Sequence, residues 1–204
     1  MAEVERLLLC AADPREIKDL PLSGALGPWE VWVRVVGIGL VDAALGTAQA
    51  LAEVRPTRAI LVGTCGAFPG ARASGAPDVA VPERVVLASG GEARGVAALL
   101  GSREVALDAD LARALGGPTP GVATTLGVTT DDGLAEALER ASGCGYEHLE
   151  AFAFARACAR AKVPAAVALG VANVVGAAGR AEWRANEAEA SRRAALRVLE
   201  RLGA

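Results

Sequence analysis

Three polar side chains sit where apolar runs end, and each could do chemistry: Thr64 in LVGTCGAFPG (61–70), Glu150 in YEHLEAFAFARAC (146–158) and Asn173 in VALGVANVVG (167–176). Gly63, beside Thr64, lets the backbone come close to a ligand, and the threonine hydroxyl supplies one donor and two acceptor positions, suited to phosphate or sugar. Glu150 heads a segment that is apolar on nearly every side, so its carboxylate needs a hydrogen-bond partner from elsewhere if it is buried. The Asn173 amide offers a donor and an acceptor together, the pair needed to grip a purine at a ring nitrogen and a carbonyl oxygen. A fourth element, VVGIGLVDAALG (35–46), places Gly37 and Gly39 in a turn ahead of a helix, where free N–H groups can hold an anion or hydroxyl. Each has a plain alternative: structural turns for the glycines, a first-turn acid for Glu150 and a turn-forming amide for Asn173.

Apolar runs bounded by turn residues predict strands at Val4 to Cys10, Trp29 to Val36, Ala59 to Val62, Val79 to Leu87, Val122 to Val128 and Ala165 to Val171. Between and after them, Asp42 to Val54, Asp108 to Leu115, Asp132 to Ser142, Leu149 to Ala161 and Ala181 to Leu202 have helical composition, several opening on an aspartate able to cap the first turn. This alternation predicts an α/β fold with a largely buried sheet. On this reading Thr64 and Asn173 lie at the carboxyl ends of strands, the crevice where open α/β sheets bind ligands.

At 204 residues the chain fits one domain, 1–204, with no repeat or long linker. A net charge of −3 without a basic stripe, and only seven aromatic residues, argue against nucleic acid and anionic membranes as partners and leave a small molecule. Cys10, Cys65, Cys144 and Cys158 lack metal-site spacing and His148 is the single histidine, so no metal or cofactor is expected; a reduced, cytoplasmic protein fits. Asp42 stands where a dinucleotide fingerprint needs its third glycine, which excludes that reading of VVGIGLVDAALG. His148 is expected to be satisfied or exposed beside a site rather than catalytic, and Trp183 to pack the last helix onto the body.

In order and spacing these elements resemble the purine nucleoside phosphorylase and nucleosidase superfamily. VGIGLVDAALGTAQAL resembles its glycine turn and following helix, and RPTRAILVGTCGAFPG with DVAVPERVV its second glycine motif. LEAFAFARAC is similar to its Met-Glu-Ala motif, and VANVVG stands where it carries Ser-Asp or Ser-Asn. The resemblance implies a three-layer sandwich with a central mixed, mostly parallel sheet flanked by helices, a purine nucleoside as ligand, and a homo-oligomer. It places Glu150 on the ribose hydroxyls with Leu149 beside it, Gly39, Gly63 and Thr64 against the sugar and its attacking group, and Asn173 on the purine. TTDDGLAEAL resembles the segment before the base-facing helix, bringing Leu134 near the base; capping by Asp131 or Asp132 explains the same stretch.

Glu16, in ADPRE, falls where the family's phosphorylases carry a phosphate-binding arginine and its nucleosidases a glutamate that helps activate water. A dianion beside Glu16 would be poorly held, so the resemblance implies hydrolysis, with Glu16 and Asn173 as the catalytic pair. Arg15, one position away, keeps phosphorolysis as the alternative, and a catalytically weak nucleoside binder is a third. Among nucleosidases, LLLCAADPRE, RPTRAILVGTCGAFPG and NVVGAAGRAEWRANEA look most like futalosine hydrolases, which release hypoxanthine in menaquinone biosynthesis. The sequence departs from the family pattern at Ala172, in place of serine, and in a short stretch over 89–121.

Overall fold

The computed structural model describes residues 5–20 and 23–203. One sheet carries ten strands: β1 (Glu5–Ala11), β2 (Ser23–Leu26), β3 (Trp29–Val35), β4 (Arg58–Ala67), β5 (Val79–Ala80), β6 (Arg84–Leu87), β7 (Glu104–Ala106), β8 (Val122–Thr124), β9 (Tyr146–His148) and β10 (Ala165–Val174). The helices are α1 (Leu40–Val54), α2 (Pro69–Ala73), α3 (Gly90–Ala93), α4 (Ala109–Ala114), α5 (Asp132–Ser142), α6 (Ala151–Ala161) and α7 (Gly179–Leu202), with a 3-10 turn at Pro14–Ile17. Pairings β1–β3, β1–β4, β4–β10, β6–β8 and β8–β9 are parallel, whereas β2–β3, β4–β9, β5–β10 and β6–β7 are antiparallel. The sheet is therefore mixed and mostly parallel, as expected.

Alternation along the central strands divides the apolar residues between two layers. Leu8, Cys10, Ala59, Leu61, Val167 and Leu169 face α1 and α6, which contribute Ala43, Leu51, Phe152 and Phe154. Leu7, Leu9, Ile60, Val62, Ala166 and Ala168 face α4 and α7, which contribute Leu111, Ala194, Ala195 and Val198. Leu7, Leu8 and Leu9 are completely buried, and burial of each stabilises the fold by about 1.5–3 kcal/mol. Strands buried on both faces carry no polar alternation, which is why they read as continuous apolar runs. All four cysteines are free and buried, and no helix among the described residues is long and apolar enough to cross a membrane.

Several boundaries differ from the sequence reading, and Val4, the expected start of β1, lies outside the described residues. The stretch Gly63–Gly66, expected as a turn, is strand: β4 continues to Ala67 because its second half pairs with both β10 and β9. The expected strand Val79 to Leu87 is two strands separated by Val81–Glu83, where Pro82 has no N–H to give a ladder. Leu149 and Glu150 precede α6, with Glu150 at its N-cap.

Those pairings open a fork in the sheet. On one side of β4, β1 runs alongside as far as the Cys10–Leu61 pair, and β9 joins only at the Gly66–Glu147 pair. Between these points Val62 to Cys65 have no strand neighbour on that side, and the chain after β1 and the chain after β9 border the gap.

Candidate active site

Glu16 is delivered to the fork by the Pro14–Ile17 turn. Asp13 caps that turn, accepting from the Arg15 amide at 2.9 Å and the Arg15 Nε at 2.8 Å, and Pro14 supplies the fixed first φ. The Glu16 carboxylate then accepts from the Thr64 amide at 3.0 Å, the Thr64 hydroxyl at 3.3 Å and the Ala12 amide at 3.2 Å. Trp183 Nε1 donates to Thr64 Oγ1 at 3.0 Å, so the hydroxyl takes one hydrogen bond and passes one to Glu16. A Cβ on Gly63 would lie 2.8 Å from Glu16 Oε1; the glycine is what lets the carboxylate lie flat against β4.

Burial, followed by the nearby Glu150 charge, pushes the Glu16 carboxyl up to about 7, against the opposing pull of the backbone amides it accepts from. A base poised near 7 suits proton abstraction at neutral pH. A base role for Glu16 predicts a pH–rate profile in which kcat/KM rises with pH through about 7 as it ionises. Stability carries the opposite sign. Between the ordinary 4.5 and about 7 the folded state holds a proton that the unfolded state has released, so stability falls as pH rises across that window. Denaturant unfolding of wild type and Glu16→Gln as a function of pH checks this, the slope difference being confined to that window.

Glu150 faces the gap from the other side. It is 4 % exposed, and its partner is Gly39, whose amide donates to Oε1 at 2.7 Å. Gly39, at φ 87°, caps α1 in a conformation that favours glycine. The glycine turn thus does hold an anion at a helix start, and that anion is the protein's own carboxylate. Although Glu150 is the N-cap residue of α6, its side chain makes no capping bond. The α6 amides of Glu150 and Ala151 donate instead to His148 Nδ1, both at 3.1 Å, and that of Phe152 to Thr124 Oγ1 at 3.0 Å. His148 is buried beside the site, with Nδ1 taken by the Glu150 and Ala151 amides. Burial lowers its pKa while Glu150 raises it, the first being larger.

Asn173 stands just past a break in β10: the register against β4 shifts between Val171 and Asn173, and the bulge there turns the amide toward the cleft. Its Nδ2 donates to Val174 O at 2.9 Å. Ala172 lies at the bulge, and its carbonyl accepts from Asn186 Nδ2 at 2.9 Å.

Glu16, Thr64, Leu149, Glu150 and Asn173 line one cleft of about 330 Å³, a size in the range of small-molecule sites. Gly39 and Gly63 stand behind it, each against a carboxylate. Leu134 does not reach it: the side chain packs over Gly90 in a separate apolar cluster with Phe68 and Leu138. The start of α5 is capped by Asp131, which accepts from the Leu134 amide at 2.7 Å, so the capping account explains that stretch. Val128, just before this segment, lines the cleft.

Several lining residues were not assigned to the site by the sequence reading, among them Trp183, Ile38 and Glu147. Trp183, expected only to pack α7, reaches the cleft and bonds Thr64. Ile38, between the two turn glycines, is 58 % exposed at the rim. Glu147, buried, accepts from Thr125 Oγ1 and the Thr129 amide, each at 3.2 Å, and from the Thr129 hydroxyl, fixing the 125–129 loop; burial raises its pKa although these donors pull it back. Only contacts between distant segments give these residues their place. Arg15 borders the mouth, held by Asp13 and lying 5.8 Å over the Trp183 ring. Among the described residues no three His, Cys, Asp or Glu side chains gather as a metal site.

Known proteins share this architecture. The structure superposes on a 5′-methylthioadenosine/S-adenosylhomocysteine nucleosidase of Helicobacter pylori with a TM-score of 0.85 over 98 % of both chains at 14 % identity. Futalosine hydrolase from Helicobacter pylori gives 0.84 over 97 % of both at 14 %. The S. pneumoniae nucleosidase, solved with a transition-state inhibitor, gives 0.84 over 98 % of this chain and 99 % of its own at 18 %. No protein of curated function matches the sequence. The sequence pattern of the phosphorylase superfamily matches residues 21–203, a stretch that holds Thr64, Glu150 and Asn173 and leaves Glu16 to stand on its geometry. A match over that much of a 204-residue chain makes the protein a member of the phosphorylase superfamily.

Proposed function

We propose that the protein hydrolyses the N-glycosidic bond of a purine nucleoside, with futalosine as the leading substrate. The observation that carries this reading is the pairing of Thr64 with Glu16: the amide and hydroxyl that could cradle a phosphate already serve a carboxylate. A phosphate dianion at that end of the cleft would meet Glu16 directly, whereas a water molecule finds a proton acceptor.

In this mechanism the water oxygen bonds to the sugar carbon as the bond to the purine nitrogen breaks, its electron pair leaving with the base, and Glu16 takes the water proton. Glu150 binds the ribose hydroxyls and opposes the positive charge of an oxocarbenium-like transition state. Asn173 has no acidic proton to give. Its Nδ2 gives one hydrogen to Val174 O, which leaves the second N–H and the amide oxygen for the departing purine, and solvent supplies the proton. Leu149, Ile38 and Val128 supply apolar walls.

The reading includes a homo-oligomer, supported by the exposed row of Ile38, Val41 and Leu45 at and just after the glycine turn; a monomer by light scattering would remove that part. The test of the activity is chromatography of futalosine, inosine and methylthioadenosine incubated with the protein, each with and without phosphate. Hypoxanthine from futalosine without phosphate is the expected result. Release only with phosphate would make the reaction phosphorolysis, and binding without release from any of the three would make the protein a nucleoside binder.

A further inference from the structure

An N-cap residue ordinarily spends its own side chain on the helix amides. Glu150 does not: its Oε1 is held by Gly39, the Phe152 amide goes to Thr124 Oγ1, and His148 Nδ1 accepts from the amides of Glu150 itself and Ala151. A ring nitrogen that accepts two N–H bonds carries no proton, so the imidazole is the neutral form with its proton on Nε2. Nδ1 also lies 3.3 Å from Glu150 Oε2. With no proton between them this is no ion pair, and Oε2 is left with its lone pairs unspent. Were the proton on Nδ1, both amides would lose their acceptor and Oε2 would be drawn onto the ring. Pairing of His148 with Thr124 across β9 and β8 holds the ring in register with the hydroxyl that caps the next amide.

We propose that His148 is a positioning residue for Glu150: as the Nε2–H tautomer it binds the Glu150 and Ala151 amides where α6 begins, and so keeps Glu150 on Gly39 with Oε2 free for a sugar hydroxyl. The sugar part rests on the nucleosidase reading; the positioning part does not. The imidazole performs for Glu150 the orienting service that a fixed neighbour performs for any group that must meet a ligand in one geometry.

Asparagine and glutamine divide the two ring nitrogens between them. Asn Oδ1 falls near the place of Nδ1 and still accepts from the α6 amides, whereas the glutamine amide reaches the place of Nε2 and leaves those amides without their acceptor. His148→Asn is therefore expected to keep the nucleoside KM close to wild type, and His148→Gln to raise it roughly 10- to 100-fold, the scale of a displaced binding group. Affinity for free hypoxanthine, which has no sugar, stays unchanged in both by calorimetry.

Two readouts need no substrate. His148 is the single histidine, so its ¹⁵N spectrum at pH 7.5 reports one ring, and the expected pattern is protonated Nε2 with bare Nδ1. Exchange of the Gly39 amide reports the place of Glu150, slow in wild type and His148→Asn and fast in His148→Gln. A proton on Nδ1 in wild type overturns the proposal whether or not the glutamine variant folds. Equal Gly39 protection in all three proteins overturns it too, and a KM kept by glutamine but lost by asparagine would make Nε2 a direct ligand contact. Slow Gly39 exchange and the expected tautomer in a protein that releases no purine would leave the positioning role standing and overturn the nucleosidase reading alone.

Discussion

Glu16→Gln lowers turnover of the nucleoside by about 10²- to 10⁴-fold, the usual contribution of a general base, with the fold intact. The glutamine keeps an oxygen for the Thr64 amide, one of the bonds that locate residue 16, and loses the ability to take a proton. The variant therefore separates chemistry from position. Steady-state kinetics should show kcat falling with KM little altered, and the rise of kcat/KM through about pH 7 should vanish with it. Turnover equal to wild type would remove Glu16 from the mechanism and move the base elsewhere in the cleft.

Glu150→Ala damages binding and turnover together. Each hydrogen bond between a ribose hydroxyl and a carboxylate contributes about 1.5–3 kcal/mol, so loss of two lowers kcat/KM roughly 10²- to 10⁴-fold. The substitution also strips the Gly39 amide of its acceptor, which loosens the turn that starts α1. Affinity for the free purine is the control: calorimetry with hypoxanthine should match wild type, because Asn173 and not Glu150 faces the base in this reading. Normal kinetics in the alanine variant would place the sugar elsewhere.

Much of this arrangement was legible in the sequence, for physical reasons that can be named. Strands such as Leu7–Cys10 and Ala165–Leu169, buried on both faces, cannot hide their apolar runs. Capping aspartates marked the helix starts at Asp108 and Asp131–Asp132. Glu150 betrayed itself by being a carboxylate among apolar neighbours. Its partner Gly39, 111 residues away, was recognisable as an anion holder, but which anion it holds is decided by the way α1 packs beside α6.

Other features carried no local signal. Strands β2, β7 and β9 are three or four residues long and too short for any period to show. The glycines of LVGTCGAFPG imitate a turn, yet in β4 they make room, most clearly at Gly63 for the Glu16 carboxylate. Trp183 has the surroundings of any helix-packing aromatic in RAEWRANE, and only the meeting of α7 with β4 makes it a cleft residue. Leu134 packs in the cluster beside α5, below the cap at Asp131, a placement that the sequence alone does not show.

The fork in the sheet has a consequence for its hydrogen bonding. Where β1 has ended and β9 has not begun, β4 presents an interior edge, and an unpaired edge is a template for a strand from another chain. Here the edge is only four residues long, Val62 to Cys65, it is buried, and the Glu16 carboxylate takes its Thr64 amide. The acid that would activate water thus also completes the hydrogen bonding of an interrupted sheet. Without any acceptor at position 16 the buried Thr64 amide would be left unpaired, so this position serves the sheet as well as the cleft.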